Sequence, residues 1–499
     1  MTDATTTEPA ERGEAEAFVA SLRPAPFAVK ALNGLNGAVD NLLFIAYELF
    51  VLFYYSQVLG LSGTLTGAAI LISMIADALT DPVIGSWSDN IRSRFGRRHL
   101  FMFASILPIC VSFWLLFTPP AALGSVGLFL WLVVTSVAVR VTLTFFSAPA
   151  SAVTAEISPL KSDRAEMGIY RQIVASVGQF SLLYLAFSIF FRSTPAFENG
   201  QENAAAYPDF ALALSAIIMV CMLVGAGATF RRIRSFEATL GSPGSSHFNL
   251  RRALADWLNA IVRVPNFRAI LFGLFFATIM GTTYRAMSIY LGTYLWEFTP
   301  AQIKNWQQLV LVGMFTMAIA SRFIVPRTDP KKPYLTAFSV LVLMYGLPPL
   351  LTALDVLPPA GDPLLAYFLY AFNTTVGACF GVIMICSAVM FSETTDEYHY
   401  ITRISQTGMI FGLITFGNKA ASGLGKVVAG VILDAVGFPE KSEIDQLTPQ
   451  ILDNLAYLLS LVVFLAGAAG LVVLSRYNLD RQRHAEVLAG INRMAAEPG

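Results

Sequence analysis

The chain has 499 residues, 55% of them hydrophobic and only 13% charged, against about 25% charged in soluble domains. Its 33 basic and 33 acidic residues cancel, so its charge suits no nucleic-acid partner. Long apolar runs recur throughout, each about long enough to cross hydrocarbon. In lipid every backbone polar group must be bonded within its own helix, so the chain reads as an all-α polytopic membrane protein.

In chain order, residues 1–33 open with the polar, acidic MTDATTTEPAERGEAEAF, which lacks the charged-then-apolar layout of a signal peptide. They are expected to form a short disordered cytoplasmic tail. Six spans follow, at 34–58, 63–88, 99–118, 123–150, 168–192 and 208–230. Six more are expected at 267–296, 304–325, 333–354, 363–391, 406–436 and 449–476. The longest polar stretch, 231–266, is Gly/Ser-rich and then basic and amphipathic around Leu254, Trp257 and Leu258. It reads as a linker plus a surface-lying helix, dividing two six-helix bundles at 34–230 and 267–476. A tail at 477–499 ends the chain. The connections after the even-numbered spans hold the basic residues, Arg92, Arg94, Arg97 and Arg98 after the second among them. That alternation puts both termini in the cytoplasm. Cys110, Cys221, Cys379 and Cys386 all fall in apolar runs without metal-ligand spacing and read as small buried hydrophobes.

The most informative feature lies in the second span. Asp77 and Asp81 stand four residues apart in LTGAAILISMIADALTDPVIGSW, on one helix face. Carboxylates deep in a bilayer are costly and face a cavity, a partner or an ion path. Two on one face repel unless a cation or a proton joins them, which makes them the candidate coupling-cation site; the alternative is that one or both pair with a neighbouring basic residue. Other buried charges need partners too: Glu48 in the first span, Arg140 in the fourth, Arg285 in the seventh and Lys426 in the eleventh. Arg140 is one turn from Thr144 and is expected to pair with Glu48 or Asp77. Arg285 and Lys426 would suit a substrate bearing a carboxylate or phosphate. Tyr284, Tyr290 and Tyr294 are candidate solute contacts or belt aromatics; Trp296 is expected in the interface belt.

The halves echo each other. SAVTAE begins at Ser151 and SAVMFSE at Ser387, each after a long span and before a charged loop. Two parallel repeats around a midplane site is the layout of major-facilitator transporters. Glu156, Asp163 and Arg164 follow the fourth span; Glu393, Asp396, Glu397 and Arg403 follow the tenth. With Asp89, Arg92 and Arg98 they are expected to form ion pairs that close the inner side. Exposed pairs are individually weak, so such a gate can open on a transport timescale.

GSWSDNIRSRFGRRHLFMF resembles the facilitator signature loop, with extra residues between Asp89 and Gly96. That longer form, together with DALTDP, FYYSQVLGLS, SETTDEYHY and FGNKAASGLG, is similar to the glycoside–pentoside–hexuronide:cation symporters, the melibiose permease group. The resemblance implies the major facilitator fold and a cation site around Asp77, Thr80, Asp81 and Thr144, with Thr80 where the permease has an asparagine. It implies that Lys419 faces the acidic pair and that Arg171, matching an arginine near the cytoplasmic end of the fifth helix, is either a substrate-binding residue or a snorkelling interfacial charge. The permease's sugar-binding positions look like Asn41, beside Asp40, and Ser147 and Ser151, so its carboxylate-and-tryptophan pattern does not carry over.

The expected function is cation-coupled symport, by Na+ or H+, of a glycoside, uronide or related solute by alternating access. A sodium-dependent lysophospholipid transporter is the second reading, since that group shares the paired aspartates. A non-transporting membrane receptor is a third. There is no nucleophile–base motif, so an enzyme is not expected. No cofactor is expected beyond the coupling cation. The expected partners are a small-molecule substrate and membrane lipid, with the chain a monomer in a bacterial inner membrane.

Overall fold

In the computed structural model, residues 24–91, 97–158, 160–240, 259–324, 329–403, 407–439 and 446–496 are described. Arg92 and the amphipathic stretch around Leu254, Trp257 and Leu258 lie outside them. Twelve long helices run in order: α1 (Phe27–Phe53), α2 (Gly63–Asn90), α3 (Arg97–Leu116), α4 (Ser125–Glu156), α5 (Lys161–Leu185), α6 (Ala206–Leu240), α7 (Pro265–Tyr290), α8 (Pro300–Ile324), α9 (Lys331–Ala353), α10 (Pro363–Thr402), α11 (Thr407–Ala435) and α12 (Pro449–Ser475). A shorter α13 (Arg481–Ala496) follows. Among the described residues, ten of the twelve hold a stretch long and apolar enough to cross a membrane, α8 and α11 falling outside that set. Those two carry Lys304, Asn305, Gln307 and Gln308, and Asn418, Lys419 and Lys426. Polar residues within a span cost least where they face the bundle interior.

Several helices outrun their apolar stretches. α1 begins at Phe27, inside the expected tail. α6 continues to Leu240, inside the expected linker, and α10 runs through SETTDEYHY to Thr402. Glu393, Asp396 and Glu397 are therefore helical, not loop residues. Hydropathy reports membrane thickness, whereas a helix continues for as long as its own backbone bonds and neighbours support it. The starts follow local chemistry. Asp362 accepts the Leu364 amide at 2.8 Å with Pro363 at the first helical position, and Thr448 with Pro449 repeats the device at α12. Such caps are each worth about 1 kcal/mol.

The packing shows two halves. α1 packs on α5 and α6, α2 on α4, and α3 on α4 and α6. Six helices on, α7 packs on α11 and α12, α8 on α10, and α9 on α10 and α12. α1 and α7 also both end in a single π-helical turn, Tyr54–Val58 and Leu291–Leu295. Between the halves the most extensive contact is α2 against α11. A Cβ at Gly67 would meet the Lys426 and Val427 backbone, and one at Gly430 that of Gly63. Small residues let two membrane helices approach this closely.

The N-terminus of α1 and the C-terminus of α12 share one face, here the terminal face. On the opposite face the halves are joined. Asp434, at the end of α11, accepts the Gly63 and Thr64 amides at 2.9 Å each and the Ser62 hydroxyl at 2.7 Å. A carboxylate there also meets the positive end of the α2 dipole. Gln201 donates to Thr293 at 2.8 Å and Tyr294 to Glu202 at 2.9 Å. Phe53 packs on Tyr290, and both Tyr290 and Tyr294 pack on Phe438. Trp296 is not a belt residue: it is fully buried, donates to Thr352 at 3.0 Å and packs on Trp306. Its indole hydrogen finds a partner inside the half, which removes the reason to sit at the interface.

Candidate functional site

A polar chamber of about 830 Å³ lies between the halves. α1 contributes Asp40, Asn41 and Phe44; α2 contributes Asp77 and Asp81; α4 contributes Arg140, Thr144, Ser147 and Ser151; and α5 contributes Arg171 and Gln172. The second half adds Thr278 and Thr282 from α7 and Asn418, Lys419 and Ser422 from α11. Two buried polar atoms on lining residues, Asn41 Oδ1 and Ser422 Oγ, have no hydrogen-bond partner among the described residues.

Asp77 is 6% exposed. Thr144 Oγ1 lies 3.0 Å from Asp77 Oδ1 and 2.9 Å from Asp81 Oδ1, and its one hydrogen donates to either in turn. Lys419 reaches across from α11 and places Nζ 2.8 Å from Asp77 Oδ2 and 2.5 Å from Asp81 Oδ2. Its ammonium compensates the mutual repulsion of the carboxylates. Arg140 Nη1 is 3.5 Å from Asp77 Oδ2; its Nε donates to Ser73 at 3.2 Å and its guanidinium lies over the Tyr47 ring at 4.5 Å. Thr80 stands apart: its hydroxyl donates to the Asp77 carbonyl at 3.1 Å, and it does not line the chamber. A threonine can bond its own helix backbone in this way, where an asparagine would reach farther.

Beside the acidic pair, Arg171 Nη2 donates to Asp40 Oδ2 at 2.9 Å and Nη1 to Ser151 Oγ at 3.4 Å. Lys426 does not line the solute space. It is buried and paired with Glu48 at 3.1 Å, joining α11 to α1. Glu48 is thus taken by Lys426 rather than Arg140, because Gly67 lets the α11 backbone at Lys426 come close to α2 beside it. Tyr284 stacks on Tyr345 at 4.1 Å and, with Arg285, lines a separate small recess. Gln172, Thr278, Thr282, Asn418 and Ser422 were not singled out from the sequence. Their only signal is polarity within an apolar span, which does not say which way they face.

The charges expected to close one side bond within their own halves. Arg98 pairs with Glu156 at 3.0 Å, and Asp163 with Lys30 at 2.9 Å. Arg164 donates to the Ser158 carbonyl at 3.0 Å. Glu393 accepts Tyr477 at 2.9 Å, Asp396 lies 2.9 Å from His484 and Glu397 accepts Asn266 at 2.9 Å. Arg403 ends α10 with φ 59° and is exposed. Asp89 lies in the last turn of α2. Among the described residues, each ion pair of this face lies within one half. Local partners from α1, α13, the first turn of α7 and the segment after α12 supply the counter-groups that the loops were expected to supply to one another.

A two-repeat, twelve-helix bundle with a polar, charge-lined chamber between its halves is a membrane transporter, not an enzyme. The chain belongs to the MFS/sugar transport protein family, which it matches over residues 33–481. It is 23% identical to the uncharacterized symporter YnaJ of Bacillus subtilis over 89% of this chain and 90% of that one. It is 22% identical to the putative glycoside/cation symporter YagG of Escherichia coli, covering 90% and 91%. The isoprimeverose transporter of Lactiplantibacillus pentosus is 22% identical over 83% and 81%. Among solved structures, the nucleoside transporter NupG shares the fold at a TM-score of 0.59 and 14% identity, covering 93% of this chain and 98% of that one.

Proposed function

We propose that this transporter is a cation-coupled symporter, with Asp77, Asp81 and Thr144 holding the coupling cation and the adjoining chamber holding a glycoside, uronide or related polar solute. The observation that carries this reading is Lys419 of the second half bridging Asp77 and Asp81 of the first, at 2.8 and 2.5 Å, beside that chamber. A sodium ion is a hard cation suited to carboxylate and hydroxyl oxygens. A proton would neutralise one carboxylate. Either cation competes with the Lys419 ammonium for the same oxygens, so loading releases a bond that ties the halves together. By linkage, solute tightens cation binding by the factor by which the cation tightens solute binding. The charged and hydroxyl-bearing side chains of the chamber support a sugar-sized solute over an amphiphile, which would need an apolar lateral opening. Basic residues after the even-numbered helices put the terminal face in the cytoplasm, here of a bacterial inner membrane, with the monomer as the working unit.

The test is solute uptake into proteoliposomes under an imposed sodium or pH gradient, with sugars, uronides and lysophospholipids as solutes. Accumulation driven by one gradient identifies the cation. Accumulation of lysophospholipid alone, or equilibration without accumulation under both gradients, would defeat the proposal.

A further inference from the structure

Farther from the terminal face than the chamber lies a second, smaller recess of about 60 Å³. Its polar lining is Arg285 and Ser288 of α7, Gln307 of α8, Asn373 of α10 and Gln179 of α5. It has room for a few waters or one carboxylate-sized substituent. Arg285 is half-buried here and makes no ion pair or side-chain hydrogen bond among the described residues. Its guanidinium lies 6.0 Å from the Phe44 ring centroid. Phe44 also lines the chamber, with 43% of its surface exposed, so Arg285 lies close to the chamber wall.

The other bases of the chamber and of the α1–α11 contact beside it all have carboxylates; Lys304, near the start of α8, donates to Ser188 instead. Arg140 and Lys419 face Asp77, Lys419 also faces Asp81, Arg171 faces Asp40 and Lys426 faces Glu48. With Arg285, five bases thus face four acids, and the surplus positive charge belongs to Arg285. A cation left uncompensated at bilayer depth is costly. We infer that the recess is an anion subsite in which Arg285 receives the carboxylate of an acidic sugar whose ring lies in the chamber beyond Phe44. A guanidinium presents parallel donors that match a carboxylate, and such charge-assisted bonds are the strong ones. Gln307 donates to Ser288 at 3.0 Å, and Ser288 to the Arg285 carbonyl at 2.7 Å, which braces the α7 backbone at that point. The electrostatics of loading are consistent with this assignment. A monovalent cation adds one positive charge, and a monoanionic solute returns the interior to the charge of the empty state.

This inference rests on the solute-transport reading above, and an equilibrium binding experiment separates the two. The purified full-length protein is titrated, by thermal shift in the presence of sodium and at acid and neutral pH, with the methyl glycosides of glucuronate and galacturonate and with their neutral counterparts. At least one acid is expected to half-saturate at about tenfold lower concentration than its neutral counterpart, the scale of a charge-assisted hydrogen bond. Arg285→Gln is expected to abolish the preference, and Arg285→Lys to keep part of it, which guards against a folding defect in the first variant. Equal response to acid and neutral sugars, no response to either acid, or a preference that survives Arg285→Gln would overturn the subsite. A preference for the acid without gradient-driven uptake would leave the subsite standing and defeat symport; gradient-driven uptake of neutral sugars alone would do the reverse.

Discussion

Lys426 on α11 and Glu48 on α1 form an ion pair of 3.1 Å across the two halves, with 1% and 0% of their side chains exposed. Removing one member of a buried pair strands the other, at a cost of about 3–5 kcal/mol. Glu48→Gln and Lys426→Met are each expected to lower the thermal midpoint in detergent substantially. Replacing both by Leu and Met is expected to recover most of the loss. A double variant no more stable than either single one would show that the pair does more than balance charge.

The acidic pair makes a different prediction. Asp77→Asn and Asp81→Asn each leave Lys419 one carboxylate partner, so both variants are expected to fold. Each removes one of the two charges that favour a cation, so gradient-driven uptake is expected to fall to background. Uptake against a gradient in both variants would show that the cation binds elsewhere.

Thr144 tests the site more gently. Its hydroxyl lies within 3.0 Å of both carboxylates, and one such hydrogen bond is worth about 1 kcal/mol. Thr144→Val is expected to weaken cation affinity by roughly 5–10-fold, while Thr144→Ser keeps it near wild type. Cation-dependent thermal shift reads both, and an unaffected Thr144→Val would remove Thr144 from the cation site.

At the α2–α11 seam, a larger side chain at Gly67 has no space against the Lys426 and Val427 backbone. Gly67→Leu is therefore expected to hold the helices apart and favour opening of the face closed by Asp434. The readout is labelling of a cysteine placed at Thr293, which is 3% exposed on that face, by a membrane-impermeant maleimide. Labelling should rise severalfold in the Gly67→Leu background and also with Asp434→Asn, which weakens the charge that meets the α2 amides. Unchanged labelling in both would show that this seam does not report opening.

Much of the site could be read one helix at a time. Asp77 and Asp81 were legible because charge in an apolar run is costly wherever the helix sits, and their four-residue spacing puts them on one face. Partner choice was less legible. Arg140 was expected beside Glu48 or Asp77 and lies by Asp77, while Glu48 is taken by Lys426, from the other half of the chain. Trp296 sits near a span end, as belt residues do, yet Thr352 and Trp306 draw it inside. Helix ends beyond the membrane were underread at α6 and α10 for a related reason: their polar extensions are held by neighbours and by the helix's own hydrogen bonds, and hydropathy sees neither.

The order of apolar and polar residues alone was enough for an all-helical membrane chain, for two echoing halves and for an acidic pair on the second span. Those properties depend on local solvation and helical periodicity, which are written along the chain. Only the packed molecule decided that Lys419 bridges Asp77 and Asp81, that Lys426 is spent on Glu48 and that Arg285 is left with Phe44. Each of those outcomes depends on which helix faces of two halves meet, and distances across a bundle are set by the packing of all twelve helices together.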